Sequence, residues 1–432
     1  MINRISLFEF LLHSFRNHIL IFKLGAITFS LLSCRSVQFN PNHLFRATSS
    51  PTVSSPLAYD FNRDGRKEIV LGSFDGNCYL LDDTLHDLPN WPQFANGGFF
   101  SSPTVWDIDR DGAMEIFIGG NDGALRGWRL AGSNAHGFPI VLESQIWSSP
   151  TIIADSLIAI GGEEKMFVFD RNGNAVSGWP QTMRGWASAS AAWHGDLLVI
   201  ATLMRGETSR GYLYAWHLSG ELYPGFPLHL KMDSDSSPSL ADLDNDGNIE
   251  IIVGDDAGLL HAFRLTGSEL PNFPRMIGEA IQASPALADI DADGVLDIVI
   301  GTTDGALHVW NALGDCVLGW PARLGHGEIN GSAAIVRIAN GETRIVVGSG
   351  NHNLYTFHAD GKIAEGFPIN CGEEIFSSPL VDDLDGNGML DIVVGANNGI
   401  HLIKDQWPVF RGEGESSWPG FRHDVQRTGA LE

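Results

Sequence analysis

The chain has 432 residues, 44% of them hydrophobic and only 18% charged, with 50 Gly, 12 Trp and 24 Phe. That composition excludes a largely disordered chain and supplies ample apolar material for a packed core. Lys+Arg 27 against Asp+Glu 52 gives a formal charge of −25, which leaves no basic surface to displace phosphate counterions and argues against nucleic acid as a partner.

The first 40 residues set Arg4, Arg16, Lys23 and Arg35 against Glu9, so the acidity belongs to the body, which carries −28. The apolar run from Leu24 to Cys34 follows Arg16 and Lys23 and has the length of a signal-peptide core rather than of a membrane span. Residues 1–34 are therefore expected to direct export, to the periplasm, the cell surface or the medium. Leu31-Leu32-Ser33-Cys34 resembles a lipoprotein cleavage box, in which Cys34 would carry the lipid and give the only attachment to a membrane. Ordinary signal cleavage stays open beside it. Cys78, Cys316 and Cys371 are too scattered for a disulfide framework and read as ordinary buried thiols.

Aromatic–Pro pairs then recur at Trp91, Phe138, Trp179, Phe226, Phe273, Trp320, Phe367 and Trp407, with spacings of 47, 41, 47, 47, 47, 47 and 40 residues. A period of that size in a chain of short β patterns indicates propeller blades. Each unit opens on small residues and a short apolar strand, such as Ser236-Ser-Pro-Ser-Leu-Ala241. An acidic loop leads to a second strand closing on glycine, such as Ile251-Ile-Val-Gly254. Asp75-Gly76, Asp122-Gly123, Asp304-Gly305 and Asn398-Gly399 turn that strand into a third by a tight hairpin, and a fourth starts near the aromatic–Pro pair, where proline is tolerated.

Eight units begin near Ser54, Ser101, Ser148, Ala187, Ser236, Ala283, Gly331 and Ser377. The expected fold is an all-β, eight-bladed β-propeller of four-stranded blades over 54–411; seven blades plus an irregular insertion is the alternative. An open ring would leave an unpaired edge. The segment 35–53 and the tail 412–432, which repeats the aromatic–Pro phrase at Trp418-Pro419, are accordingly expected to complete one blade together.

The strongest chemical signal lies between first and second strands. Five loops share one nine-residue grammar: Asp60, Asn62, Asp64, Gly65 and Glu68; Asp107, Asp109, Asp111, Gly112 and Glu115; Asp242, Asp244, Asp246, Gly247 and Glu250; Asp289, Asp291, Asp293, Gly294 and Asp297; Asp383, Asp385, Asn387, Gly388 and Asp391. Oxygens at positions one, three and five, a glycine at six, a backbone carbonyl at seven and a closing acid suit the six to eight hard oxygens that Ca²⁺ takes. The carbonyls would come from Arg66, Ala113, Asn248, Val295 and Met389. The closing acid lies at nine rather than twelve and the flanks are strands, so these are not EF-hands. Solvated turns explain one such loop; five crowd 18 carboxylates, and a cation relieves their repulsion. About five Ca²⁺ are expected. Units three, four and seven lack the acidic series, so metal is not needed to make a blade.

These loops followed by Ile-Val-x-Gly resemble the FG-GAP/VCBS repeat class, which includes the calcium-bearing blades of integrin α-subunit propellers, over about residues 50–410. The resemblance implies an exported propeller for adhesion or ligand binding, with calcium on the face opposite the usual binding face. The Phe-Gly and Gly-Ala-Pro words of that class are poorly kept, so an integrin-like partner is not implied.

No Gly-x-Ser-x-Gly, His-Glu-x-x-His, P-loop or dinucleotide fingerprint occurs. His261 and His308 fall at matching repeat positions and read as structural. The links into the next blade hold Phe99, Phe100, Trp147, Trp186 and Phe376, which would form a sugar or peptide platform if they met at the channel mouth, or would pack between blades. The functional expectation is a monomeric, calcium-binding, non-enzymatic scaffold for a protein or carbohydrate ligand. A polysaccharide lyase on a calcium-containing propeller is the alternative.

Overall fold

In a computed structural model the described residues are 42–142, 144–204, 210–410 and 417–431. The expected signal segment with Cys34 lies outside them. The described residues form eight four-stranded antiparallel sheets, each running outward in chain order from its first strand except the last. Blade five shows the plan: Ser239–Ala241, Glu250–Gly254, Leu259–Arg264 and Arg275–Met276. First strands of neighbouring blades touch around the ring and line its centre. Among the described residues no helix is long and apolar enough to cross a membrane.

Three sequence features hold the ring together. The second strand is wholly buried in blade after blade, and its closing glycine lets the neighbouring link press in. A Cβ on Gly254, Gly301 or Gly348 would collide with Ile281, Ile329 or Ile375, and one on Gly72 with Phe99. The aromatic–Pro residue docks on the following blade: the indole N–H groups of Trp91, Trp179 and Trp320 donate to the carbonyls of Leu130, Leu218 and Ala359 at 2.8–2.9 Å, always 39 residues on. Each contact spans 39 residues, less than the 47-residue period, and so ties one blade's aromatic to the turn after the third strand of the next blade.

A serine belt runs inside the ring. The backbone N–H of Ser55 donates to Ser102 Oγ at 2.9 Å, Ser102 to Ser149, Ser149 to Ser190, Ser190 to Ser237 and Ser237 to Ser284. Ser332 donates to Ser378, and Ser378 to Ser55 at 3.0 Å, across the closure. Burying an unpaired backbone donor is costly, so the repeated serine is a structural demand of each blade joint.

Closure differs from the sequence expectation. Blade eight consists of Leu380–Asp382, Met389–Ala396 and Gly399–Pro408, and its outer strand is the N-terminal His43–Ala47, paired from His43 opposite Ile403 to Ala47 opposite Gly399. Trp407-Pro408 therefore ends a strand here instead of preceding one. Residues 417–431 of the tail share no blade. They run through the middle of the ring and satisfy inward-facing N–H groups: Trp418 exchanges two 2.8 Å bonds with Ile335, and Val381, Val105, Ile152, Trp193 and Leu240 donate to Pro419, Val425, Gln426, Thr428 and Gly429. The first strands would otherwise present unpaired edges to the channel, and the tail answers them.

Two arginines anchor this segment. Arg422, fully buried, donates to the carbonyls of Pro238 and, at 2.6 Å, Ala191; Arg427 donates to Pro103 at 2.9 Å and Pro56 at 3.0 Å. Burial pushes both guanidiniums down to about 9, an effect that Asp424 partly offsets.

Candidate metal centres

All five acidic loops adopt one backbone trace. Position four takes a left-handed conformation at Arg63, Arg110, Asn245, Ala292 and Gly386, and position six does so at Gly65, Gly112, Gly247, Gly294 and Gly388, with φ of 85–88°. Only glycine tolerates the latter freely. Folding the chain back in this way turns position-one carboxylates onto their own loop. Asp242 accepts from the N–H of Asp246 and Gly247 at 2.9 Å each, and Asp289 from Asp293 and Gly294 at 3.1 and 3.0 Å. Asp60 does the same with Asp64 and Gly65, while Asp107 and Asp383 accept from Gly112 and Gly388. Position five accepts from position seven: Arg66, Ala113, Asn248, Val295 and Met389 donate to Asp64, Asp111, Asp246, Asp293 and Asn387 at 2.7–2.8 Å.

The closing acids Glu68, Glu115, Glu250, Asp297 and Asp391 stand at or near the start of the second strands, buried, each with one oxygen bonded to the position-two N–H. Burial raises all five, to about 7 for Glu115, Glu250 and Asp297 and about 6 for Asp391. The position-two N–H opposes the rise at each, as does Asp405 N–H at Asp391. Neighbouring carboxylates add to the rise.

The donor set suits a hard cation in three loops most directly. Ligand atoms of Asp107, Asp109 and Glu115, of Asp242, Asp244 and Asp246, and of Asp289, Asp291 and Asp297 converge within 4.8 Å. Buried oxygens without a hydrogen-bond partner remain at Asp107 Oδ1, Glu250 Oε1 and Asp383 Oδ1. Such orphaned acceptors are rare in folded proteins and are what a cation would satisfy. Internal competitors stand beside several loops: the Arg129 guanidinium lies 2.5 Å from Asp109, and Arg264 3.8 Å from Asp244. Asn62 turns its amide to Glu68 at 2.7 Å, and the Lys404 ammonium sits 2.6 Å from Asp385 and 3.1 Å from Asp83. Lys404 lies 19 residues beyond Asp385 in the third strand, where the loop grammar gives no sign of it.

Blade topology puts the acidic loops on one face and the hairpins and inter-blade links on the other. On the latter, Phe74, Phe100, Trp147 and Trp186 form a continuous string with ring centroids 6.2, 5.9 and 5.0 Å apart. Phe99 does not belong to it, being fully buried under Gly72 in the blade core, and Phe376 is half-buried. Asp233, Asp235 and Asp256 lie on the same face. Burial and the neighbouring carboxylates push Asp256 up to about 8. Asp235 stands where other links hold Phe100, Trp147 or Phe376 but also Gln282 and Asn330, and Asp233 where two hold Glu328 and Glu374, so the sequence did not single them out. His261 is held between Glu269 and Asp255, and His308 is buried in the equivalent strand position.

An FG-GAP-like repeat family matches residues 242–300, which hold two of the acidic loops. No curated protein matches the chain. Among solved structures, BamB from Moraxella catarrhalis is similar at 15% identity and a TM-score of 0.46, over 70% of this chain and 81% of that one. The WD40 β-propeller domain of Doa1 is similar at 15% identity and 0.45, over 70% of this chain and 94% of that one. The chain is thus an all-β propeller of eight four-stranded antiparallel blades closed in a ring, with an FG-GAP-like repeat over residues 242–300.

Proposed function

We propose that this is an exported, calcium-stabilised binding scaffold, in which the acidic-loop face is structural and the opposite face engages a carbohydrate or protein ligand. The observation that carries the reading is the orphaned, buried carboxylate oxygens of Asp107, Glu250 and Asp383 inside loops of identical geometry. Calcium supplies a fixed charge that ties the first strand to the second; Asp109, Asp244 and Asp291 hold it together with their loop partners. The ligand face rests on the half-buried rings of Phe74, Phe100 and Trp147, backed by the buried Trp186, whose indole N–H donates to Glu163 at 2.9 Å; apolar ring faces with a carboxylate close by suit sugar rings and their hydroxyls.

A lyase acting on acidic polysaccharide is the weaker reading. Such a substrate would meet Asp233, Asp235 and Asp256 on a chain of charge −25. The scaffold reading is tested by arraying the calcium-loaded protein on neutral glycans and proteins. A hit that falls at least tenfold in Trp147→Ala with the melting temperature unchanged supports the platform. Equal binding by that variant and by Phe100→Ala places the ligand elsewhere.

A further inference from the structure

The closing blade carries a second kind of metal-ligand cluster, far from the acidic loops in chemistry. His43, on the N-terminal strand, points Nε2 at His401 Nδ1 over 2.8 Å, and Cys371 Sγ lies with both inside 4.8 Å. Cys371 is buried and free of any disulfide, and His401 is 4% exposed. Asn398 braces the group from behind. Its Oδ1 accepts from His401 Nε2 at 3.0 Å, which leaves the Nδ1 lone pair facing His43 and Cys371, and its Nδ2 donates to the Cys371 carbonyl at 2.8 Å. An outer amide that fixes the tautomer and aim of a histidine is the usual support of a metal ligand.

The repeat provides the contrast. The residue after the outer strand is Ala95, Leu142, Leu230, Ile277 and Leu324 in other blades and Cys371 only here. The third-strand position of His401, opposite the residue before the glycine, is Tyr79, Arg126, Phe167, His261, His308 and Tyr355 in other blades. Only at this joint does a thiol replace the aliphatic residue, and only here does the closing strand bring a second imidazole. The packing needs neither change.

We propose that His43 Nε2, His401 Nδ1 and Cys371 Sγ form a site for a borderline-soft divalent ion, Zn²⁺ by its chemistry, which clamps the N-terminal strand onto the last blade. One thiolate with two imidazoles is the donor set such ions select, and Ca²⁺ and Mg²⁺ avoid it. Tetrahedral Zn²⁺ places its ligand nitrogens about 3.3 Å apart, so the two rings part by roughly half an ångström on loading. The proton on His43 Nε2 moves to its Nδ1 and the thiol proton leaves, so one proton is released for each ion bound.

The full-length chain in millimolar calcium, which keeps the oxygen loops filled, is titrated with Co²⁺ as the spectroscopic stand-in. The expected result is a sulfur-to-cobalt charge-transfer band saturating at one ion per chain and displaced by Zn²⁺. That band is lost in Cys371→Ser, unaltered in Cys316→Ser, and weakened at least tenfold in apparent affinity by His43→Ala, which removes a half-buried ring. No band at saturating Co²⁺ on folded protein, or a band that survives Cys371→Ser, overturns the proposal. If Cys371→Ser does not fold, His43→Ala decides: an undiminished Co²⁺ affinity refutes the site.

Discussion

A chain ending at Ser416 melts about 10 °C or more below the full-length protein. The tail buries Trp418, Arg422 and Arg427 completely and occupies N–H groups on the first strands of five blades, at Val105, Ile152, Trp193, Leu240 and Val381, with a paired bridge to Ile335. Removing it leaves those donors, and the carbonyls of Pro56, Pro103, Ala191 and Pro238, facing an emptied channel. Each buried group left unsatisfied costs on the order of 1–3 kcal/mol, less where water enters, so the sum exceeds the stability margin of many domains. Arg427→Ala alone is expected to cost about 3 kcal/mol. Arg427→Lys recovers little of it, because an ammonium cannot reach carbonyls on two blades at once. Thermal melts of the three variants check this. A truncated chain that melts within 2 °C of the full length would mean that the blades hold the ring unaided.

Chelating calcium lowers the melting temperature by on the order of 10 °C, and adding it back restores the original melt. A ligand at a hundredfold its dissociation constant adds about 2.7 kcal/mol per site, so three filled loops suffice for that shift. The loops are expected to differ. Asp244→Ala and Asp291→Ala each remove part of the calcium-sensitive increment, since these residues belong to converged ligand groups. Asp385→Ala removes less, because Lys404 already neutralises that loop at 2.6 Å. Melts with and without chelator measure the increment variant by variant. A wild-type melt indifferent to both chelator and excess calcium would leave the carboxylate crowding without its counter-charge and the reading without support.

Most of the ring was legible in the sequence because every blade repeats one contact with the next. Trp91, Trp179 and Trp320 recur where they do since each must reach a carbonyl 39 residues later. Gly254 and its counterparts ended the second strands because Ile281 and its counterparts need the space. The acidic loops were legible for a similar reason, position six demanding glycine and position one demanding an acceptor for the loop's own N–H groups. What escaped was long-range. Nothing near Lys404 signals that it will neutralise Asp385, and nothing near Phe99 separates a residue packed under Gly72 from Phe100 beside it on the surface string. The path of the tail was hidden as well. Trp418-Pro419 repeats the phrase that introduces an outer strand, yet the N-terminal strand already fills that place in blade eight, so the tail is left to the channel.

The central claim is that the acidic loops hold calcium, and metal stoichiometry tests it most directly. Full-length protein is dialysed to equilibrium against millimolar calcium, freed of unbound ion and measured for calcium per chain. The account predicts five, with the loop of Asn62 and the loop of Asp385, which faces Lys404, among the first to empty as calcium falls. Fewer than three calcium ions per folded chain at millimolar concentration would contradict it.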